Sequence, residues 1–398
     1  RSRLKPSLTA VHSTNGILLG WARWQKKNLH EIYLDLAEST TWTAIFGDQD
    51  TGIIGTAETI IQGLERNESP IIMLDLEGKG GSQRGFDRIL RIGDEESPLA
   101  LNVLEMGYSE DISEESEIVT RVFTESLGLS PEQSQLLWET FRSIYRQRKT
   151  EGRTTRRYAI SSIIAEIQRN SDSHGVSSEL LTLLRKLVTL AEGKAGEILN
   201  KGNSIKVAEI LKGTTLIELR EVTDLAVRRL LLSLILVSLT QYIKTQASEK
   251  KEPRLFLVLK DGGSTLEEDE TGRSIMKQSL LDLGMRGIGL LIIQASPRRT
   301  PPYIVDLCQT RICHRLANRG DRDLAQKILN LDETQTGLLQ ELSNKEALVK
   351  TPDYALPILA WIPGEVPPAT ERTEKAPSYE EDLLEIMSET YENEEERC

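Results

Sequence analysis

The clearest chemical signal in the chain is a pair of glycines, Gly47 and Gly52, at the two ends of a short loop. The loop follows an apolar segment of strand length, Thr43–Phe46, and precedes a helical pattern with apolar residues at Ala57 and Ile60. A strand, a G-x-x-x-x-G loop and a helix, in this order, are the layout of a phosphate-binding P-loop, whose backbone N–H groups cradle phosphate oxygens. The loop therefore has the predicted shape of a P-loop.

The two positions after the second glycine do not carry the chemistry of a working P-loop. Hydrolysis needs a lysine there that reaches the β- and γ-phosphates, followed by a Ser or Thr that holds Mg²⁺. This chain has Ile53 and Ile54 instead. Backbone N–H groups bind phosphate independently of the lysine, so nucleotide binding and hydrolysis are separate losses. The alternative is an ordinary strand-to-helix turn. The candidate, vestigial nucleotide-binding residues are Gly47, Asp48, Gln49, Asp50, Thr51, Gly52, Ile53 and Ile54.

Composition and charge place the chain among soluble globular proteins. It has 398 residues, of which 38% are hydrophobic and 28% charged. The net charge of -12 is uneven: residues 365–398 hold twelve acidic and three basic residues, which leaves about -3 for the body. An anionic partner for the body is therefore not excluded. Three cysteines without zinc-site spacing, and no signal-peptide pattern, predict a cytoplasmic protein. The missing initiator Met suggests a piece of a longer protein.

The order of apolar segments predicts an α/β fold with a doubly wound, mostly parallel sheet flanked by helices. Residues 1–104 and 201–364 form the two parts of this core, and residues 105–200, which show only helical patterns, form an insertion. A hairpin with Asn15-Gly16 as its turn is expected near the start, and residues 357–362 are expected to form an edge strand. The acidic tail, 365–398, is expected to be disordered.

One helix, Leu225–Thr245, is strongly apolar. Its fully apolar centre is about ten residues long and is flanked by Arg228-Arg229 and Lys244, which is too short for a membrane span. The pattern predicts a buried helix, and we expect no membrane partner.

At this point the chain resembles the HerA/FtsK group of RecA-like motor ATPases, which includes the conjugation ATPases. The resemblance covers roughly residues 15–362 and depends on the order of several motifs. These are the Gly47–Gly52 loop, PIIMLDLEGKG from Pro70, Ser97–Asn102 with the helices after it, FLVLKDGG from Phe256, RGIGLLIIQASP from Arg286, and Arg311–Leu316.

The resemblance also identifies departures. Strand FLVLKDGG stands where the Walker B strand ends in Asp-Glu, whose Asp orients Mg²⁺ and whose Glu polarises the attacking water. This chain has Lys260 and Asp261 there, so a lysine replaces the metal-side carboxylate and Asp261 is the remaining catalytic candidate. The position of the family's sensor glutamine corresponds to Gln294 or, if the alignment shifts by one residue, to Ala295. The family's arginine before this strand has no clean counterpart, since Arg286 is offset.

The resemblance implies ATP and Mg²⁺ as cofactors, assembly into a ring, in particular a hexamer, on DNA, and a companion such as a nuclease or an active ATPase paralogue. With both motifs altered, the leading hypothesis is a catalytically degenerate subunit that serves as a scaffold in DNA processing or phage defence. Two alternatives stay open. One is an active DNA-dependent ATPase in which Lys260 or Lys79 replaces the missing lysine. The other is a protein-binding module that uses its acidic tail.

Basic residues are candidates for DNA contact, although a charge run is more often a solvated surface. The candidates are Arg148, Lys149, Arg153, Arg156 and Arg157 near one helix end, and Arg298 and Arg299 after a strand. For Lys260, the simpler alternative is a salt bridge with Asp75 or Asp261. Cys313 and His314 lie in an apolar strand, which favours a packing role over a metal site, and no metal site is predicted.

Overall fold

The structure is a computed structural model. It describes residues 16–24, 26–34, 42–77, 85–93, 111–151, 159–174, 177–199, 207–246, 255–266, 274–352, 354 and 356–364. The predicted acidic tail, Lys79, Arg153, Arg156 and Arg157 therefore lie outside the described residues, as does most of the first strand of the hairpin predicted around Asn15.

The described residues form eleven strands and twelve helices. The strands are β1 Ile17–Trp24, β2 Lys27–Leu34, β3 Trp42–Phe46, β4 Ile71–Asp75, β5 Arg88–Arg91, β6 Thr214–Glu218, β7 Phe256–Lys260, β8 Gly289–Gln294, β9 Thr310–Cys313, β10 Glu346–Lys350 and β11 Ile358–Trp361. The helices are α1 Ile53–Arg66, α2 Ile112–Leu127, α3 Pro131–Glu151, α4 Ile160–His174, α5 Ser178–Ala191, α6 Gly193–Leu199, α7 Val207–Ile210, α8 Leu225–Gln246, α9 Ile275–Met285, α10 Pro302–Leu307, α11 Arg319–Leu329 and α12 Glu333–Glu341.

The chain divides into two compact units. Unit 1 comprises residues 1–68 and 291–398, and unit 2 comprises residues 69–290. Strand β8 carries the chain from unit 2 into unit 1. The predicted core and insertion boundaries remain predictions.

Unit 1 contains strands in the order β2-β1-β11-β10-β9-β3, followed by the last four residues of β8. Strand β3 runs parallel to β9, with Phe46 opposite Cys313, and β10, β11, β1 and β2 extend the sheet in antiparallel fashion. All five residues of β3 are buried, as expected for a strand covered on both faces. The sheet places the ends of β3 and β9, and therefore the loops after them, side by side.

One strand prediction in unit 1 was wrong. Strand β11 is not an edge strand, because it lies between β1 and β10. The error concerns a pairing partner, which a local pattern does not specify. The hairpin predicted around Asn15-Gly16 stays a prediction, because residues 1–15 lie outside the described residues; its second half is part of β1, which pairs with β2.

Unit 2 contains the parallel strands β7-β4-β6-β5. Between β5 and β6 the described residues form helices, α2 to α7. Helix α3 begins with a capping box. The Ser130 hydroxyl accepts the Gln133 N–H, and the Gln133 side chain accepts the Ser130 N–H in return, which satisfies two backbone donors at the helix end.

Helix α8 is the one helix of the described chain that is long and apolar enough to cross a membrane by length and composition. Within unit 2, however, 72% of its most apolar window is buried. Leu230, Leu234 and Leu236 have no exposed surface. The predicted buried helix is confirmed, and so is the predicted α/β class with helices around a sheet that has a parallel centre.

Candidate nucleotide site

The candidate phosphate loop lies in unit 1, between the end of β3 and the start of α1. Two of its residues have a left-handed backbone, Asp50 with φ of 64° and Gly52 with φ of 107°. Helix α1 begins at Ile53; no side chain caps it and its first turn has no acidic residue. This end of the helix dipole favours an anion. The predicted strand, loop and helix are therefore all present.

Both loop glycines are required by close packing. A Cβ atom at Gly47 would lie 2.6 Å from the Cβ of His314. A Cβ atom at Gly52 would lie 3.1 Å from the Cα and N of Lys345 and 3.2 Å from the Cε1 of His314. The glycine spacing that predicted a P-loop thus also allows two distant segments to pack directly against the loop.

His314 is the central contact of the loop and was not predicted as such. It has no exposed surface. Its Nδ1 lies 3.0 Å from the carbonyl oxygen of Glu346, and its Nε2 lies 2.8 Å from the Thr56 hydroxyl in α1. A carbonyl only accepts, so Nδ1 carries the proton and the Thr56 hydroxyl donates to Nε2. Burial lowers the pKa of His314 to about 4, and the imidazole is therefore neutral at pH 7.

Hydrogen bonds from the loop's own polar groups hold its shape. The Thr51 hydroxyl donates to the Asp48 carbonyl at 2.7 Å, and the Asp48 N–H donates to the Arg315 carbonyl at 2.9 Å. The Asp48 carboxylate accepts the Ala317 N–H at 2.6 Å, and the Lys345 N–H donates to the Thr51 carbonyl at 3.2 Å. Asp48 and Thr51 therefore join the loop to the segments after β9 and before β10, while Gln49 and Asp50 are exposed.

The two isoleucines fill the positions of the missing lysine and hydroxyl. Ile53 is buried, with 6% of its surface exposed, and Ile54 is half-buried. Neither side chain has a charge for phosphate or an oxygen for Mg²⁺.

The backbone of a lysine from elsewhere in unit 1 packs against the loop. Lys345, in the turn before β10, has a left-handed backbone with φ of 71° and contacts Gly52. Its side chain is exposed, and among the described residues no carboxylate or hydrogen-bond acceptor engages its ammonium. No sequence pattern linked Lys345 to a loop almost three hundred residues earlier.

The altered Walker B position lies in unit 2 and contains a buried ion pair. The Nζ of Lys260 lies 2.8 Å from Oδ2 of Asp75 and 3.8 Å from Oδ2 of Asp261. The side chains of Lys260 and Asp75 are only 3% and 5% exposed. Because β4 and β7 are parallel and in register, Asp75 is directly opposite Lys260. The salt bridge considered as the simpler alternative for Lys260 is present.

Lys260, which the resemblance assigns to the Walker B position, therefore lies between two carboxylates. Asp261 is 19% exposed and has a left-handed backbone, with φ of 55°. In the described part of the chain, no group of three or more His, Cys, Asp or Glu residues is arranged to hold a metal ion.

The remaining candidates fall on both units. Gln294 ends β8 and is buried. Arg298 and Arg299 follow it in a short 3-10 turn of unit 1 and are exposed. In unit 2, Arg148 is half-buried and Lys149 exposed near the end of α3. Their contact with DNA stays a prediction.

Comparison with known proteins places the fold. No family profile and no curated protein sequence matches the chain. Among solved structures, VirB4 of Thermoanaerobacter pseudethanolicus is similar over 93% of this chain and 99% of its own, with 13% identity and a TM-score of 0.69. The bacterial conjugative coupling protein TrwB, lacking 70 N-terminal residues, is similar over 87% of this chain and 90% of its own, with 11% identity and a TM-score of 0.59. TrwB in complex with ADP and Mg²⁺ covers the same shares, with 10% identity and a TM-score of 0.60. The chain therefore has the RecA-like P-loop fold of the HerA/FtsK-type motor ATPases.

Proposed function

We propose that this chain is a catalytically degenerate HerA/FtsK-like subunit, which keeps the ATPase fold for assembly and hydrolyses nucleotide little or not at all. The observation that carries the proposal is the buried Lys260–Asp75 ion pair. Hydrolysis needs a carboxylate that binds Mg²⁺ at the position that Lys260 occupies. The Lys260 ammonium instead lies 2.8 Å from the carboxylate of Asp75. In the Gly47–Gly52 loop, Ile53 stands at the position where a working P-loop has its phosphate-binding lysine.

The fit to the two implied cofactors differs. The uncapped start of α1 and the left-handed Gly52 suit a phosphate group, and a related fold was solved with ADP and Mg²⁺. The Mg²⁺ ligands do not fit, because Ile54 replaces the hydroxyl and Lys260 replaces the carboxylate. We therefore expect any nucleotide binding to be weak and independent of Mg²⁺.

The proposed setting is a cytoplasmic ring, in particular a hexamer, in a DNA-processing or phage-defence complex. A subunit without hydrolysis is useful as a scaffold, beside an active paralogue or with a nuclease. The resemblance to motor ATPases supports this setting, and size-exclusion chromatography with light scattering tests it. A monomer at all concentrations would contradict the ring.

The experiment for the site is calorimetry with ATP and ADP, with and without Mg²⁺, on the full chain at nucleotide concentrations up to about millimolar. We expect no Mg²⁺-dependent heat and no phosphate release above a protein-free blank. Mg²⁺-dependent binding or turnover would overturn the degenerate assignment.

A working nucleotide site is the second candidate, because the backbone of Lys345 packs against Gly52 and its exposed side chain has no ion-pair partner among the described residues. If nucleotide binds, Lys345→Ala should weaken it at least tenfold. The matched control is Lys327→Ala, which removes another exposed lysine of unit 1, in α11. Equal affinity of both variants would exclude Lys345 from the site.

A further inference from the structure

Four exposed arginines lie on neighbouring loops of unit 1, and we call them the arginine cluster. Its members are Arg298, Arg299, Arg315 and Arg319. None of their guanidinium groups has a carboxylate partner among the residues that the structure describes. An exposed arginine is common, but four on adjacent loops without an acidic partner repel one another and favour a polyanion.

Two contacts hold these loops together. The guanidinium of Arg298 lies against the start of α11, where a Cβ atom at Gly320 would be 2.6 Å from its Nη1. The hydroxyl of Ser296 donates to Oδ1 of Asp321 at 2.5 Å, which ties the loop after β8 to the same helix. Arg319 is the first residue of that helix.

The strand order brings Arg315 to the same edge. Arg315 follows β9 directly, and β9, β3 and the last part of β8 are consecutive neighbours in unit 1. Adjacent strands are about 5 Å apart, so the loops after β9 and β8 are separated by roughly 10 Å. The nearby carboxylates of Asp48 and Asp321 accept hydrogen bonds from the Ala317 N–H and from the Ser296 hydroxyl, and neither forms an ion pair with an arginine of the cluster.

The described chain ends next to this edge. The Cα atom of Gly364 lies 3.1 Å from the position of a Cβ at Gly55, in the first turn of α1. Helix α1 starts at the loop after β3, between the ends of β9 and β8. The last described residue, Gly364, therefore lies beside the edge that carries the arginine cluster.

The following segment has matching charge and sufficient length. Residues 365–398 contain twelve acidic and three basic residues. The first three consecutive acidic residues in this segment are Glu380-Glu381-Asp382. That run begins 16 residues after Gly364. As a random coil, such a length spans roughly 20–24 Å, about twice the separation of the two loops.

We infer that the acidic segment 365–398 binds the arginine cluster of its own chain. The tether gives the acidic run an effective concentration on the order of millimolar, so individually weak ion pairs suffice. A bound segment would compete with any other polyanion, including the phosphates of nucleic acid, for the same arginines. The inference does not depend on the proposed function, because it requires neither nucleotide nor DNA binding.

Cys398 provides a direct probe in the full chain. Cys308 and Cys313 are buried, and burial raises the pKa of each thiol to about 12, so a maleimide dye should label Cys398 selectively. We expect high anisotropy of the dye at about 50 mM salt and a fall at about 500 mM, where screening weakens the ion pairs. Dilution should not change the anisotropy if the contact lies within one chain.

Two variants decide the assignment. Arg298→Glu/Arg299→Glu should lower the low-salt anisotropy to the high-salt value. Glu380→Gln/Glu381→Gln/Asp382→Asn, whose substitutions lie outside the described residues, should have the same effect. Arg146→Glu/Lys149→Glu makes the same charge change at exposed positions of α3 in unit 2 and should leave the anisotropy high. The inference is overturned if the first two variants match the unmodified chain, if the α3 control has the same effect, or if dilution releases the segment.

Discussion

Replacing Lys260 by methionine tests the buried ion pair directly. The substitution keeps a chain of similar length but leaves the Asp75 carboxylate, which is 5% exposed, without its ammonium partner at 2.8 Å. Removing one member of a buried pair destabilises a protein by about 3–5 kcal/mol. Asp261, at 3.8 Å, loses the same partner, which favours the upper part of that range. For a unit of this size, the midpoint of thermal unfolding should fall by roughly 6–20 °C.

The assay is urea and thermal unfolding followed by circular dichroism, for Lys260→Met, Asp75→Asn and the double variant. Because the two residues contact each other, the double variant should be less destabilised than the sum of the single variants, by about 1–3 kcal/mol. Lys212→Met, at an exposed position of unit 2, should change stability by less than about 0.5 kcal/mol. If the unfolding free energy of Lys260→Met lies within about 1 kcal/mol of that of the unmodified chain, the argument is refuted. The Lys260 ammonium of the unmodified chain would then be solvated and available to a phosphate instead of being held by Asp75.

Three further predictions concern unit 1. Because the pKa of His314 in the folded protein is lowered to about 4, the contribution of the neutral imidazole to stability is complete above about pH 6.5 and is lost as the pH falls through 4. Between pH 7.5 and 4.5, the free energy of urea unfolding should therefore fall by roughly 2–3 kcal/mol more in the unmodified chain than in His314→Gln. An equal fall in both proteins would contradict this. Gly47→Ala, which places a Cβ 2.6 Å from His314, should lose about 1–3 kcal/mol by chemical unfolding, whereas Gly337→Ala in α12, with open space around it, should lose nothing. Cys308 and Cys313 should react with a thiol reagent only after unfolding, and rapid reaction of either in the native chain would show that its burial is wrong.

Much of the fold was predictable from local pattern. The apolar runs of β3, β4, β7 and β8 are buried strands, and the Gly47–Gly52 loop joins a strand to a helix as expected. Two strands were missed, β5 and β10. Their sequences, RILR and EALVK, have charged ends and only two or three apolar residues, so they do not form an apolar run that distinguishes a strand from a loop.

The candidate site was predictable in its parts but not in its contacts. The loop spacing and the family resemblance predicted that Ile53, Ile54 and Lys260 replace the residues needed for hydrolysis, and this stays a prediction. It did not show that His314 bonds to Thr56 across 258 residues of chain, or that Lys345 contacts Gly52. These contacts follow from strand order, with β9 beside β3 and β10 beside β9, and pairing between distant strands is not encoded in a local pattern.

The sequence by itself determined the fold class, the isoleucines that follow the G-x-x-x-x-G spacing and the concentration of negative charge in residues 365–398, because each is a property of residue type and spacing. The tertiary structure decided that Lys260 pairs with Asp75, since that pairing depends on the register between β4 and β7. It also decided that the loop of Gly47 and Gly52 packs on His314 and Lys345, and that four arginines from two chain segments, one after β8 and one after β9, share one edge of unit 1. Such contacts arise only when the sheet is assembled, because the residues that make them are distant in sequence.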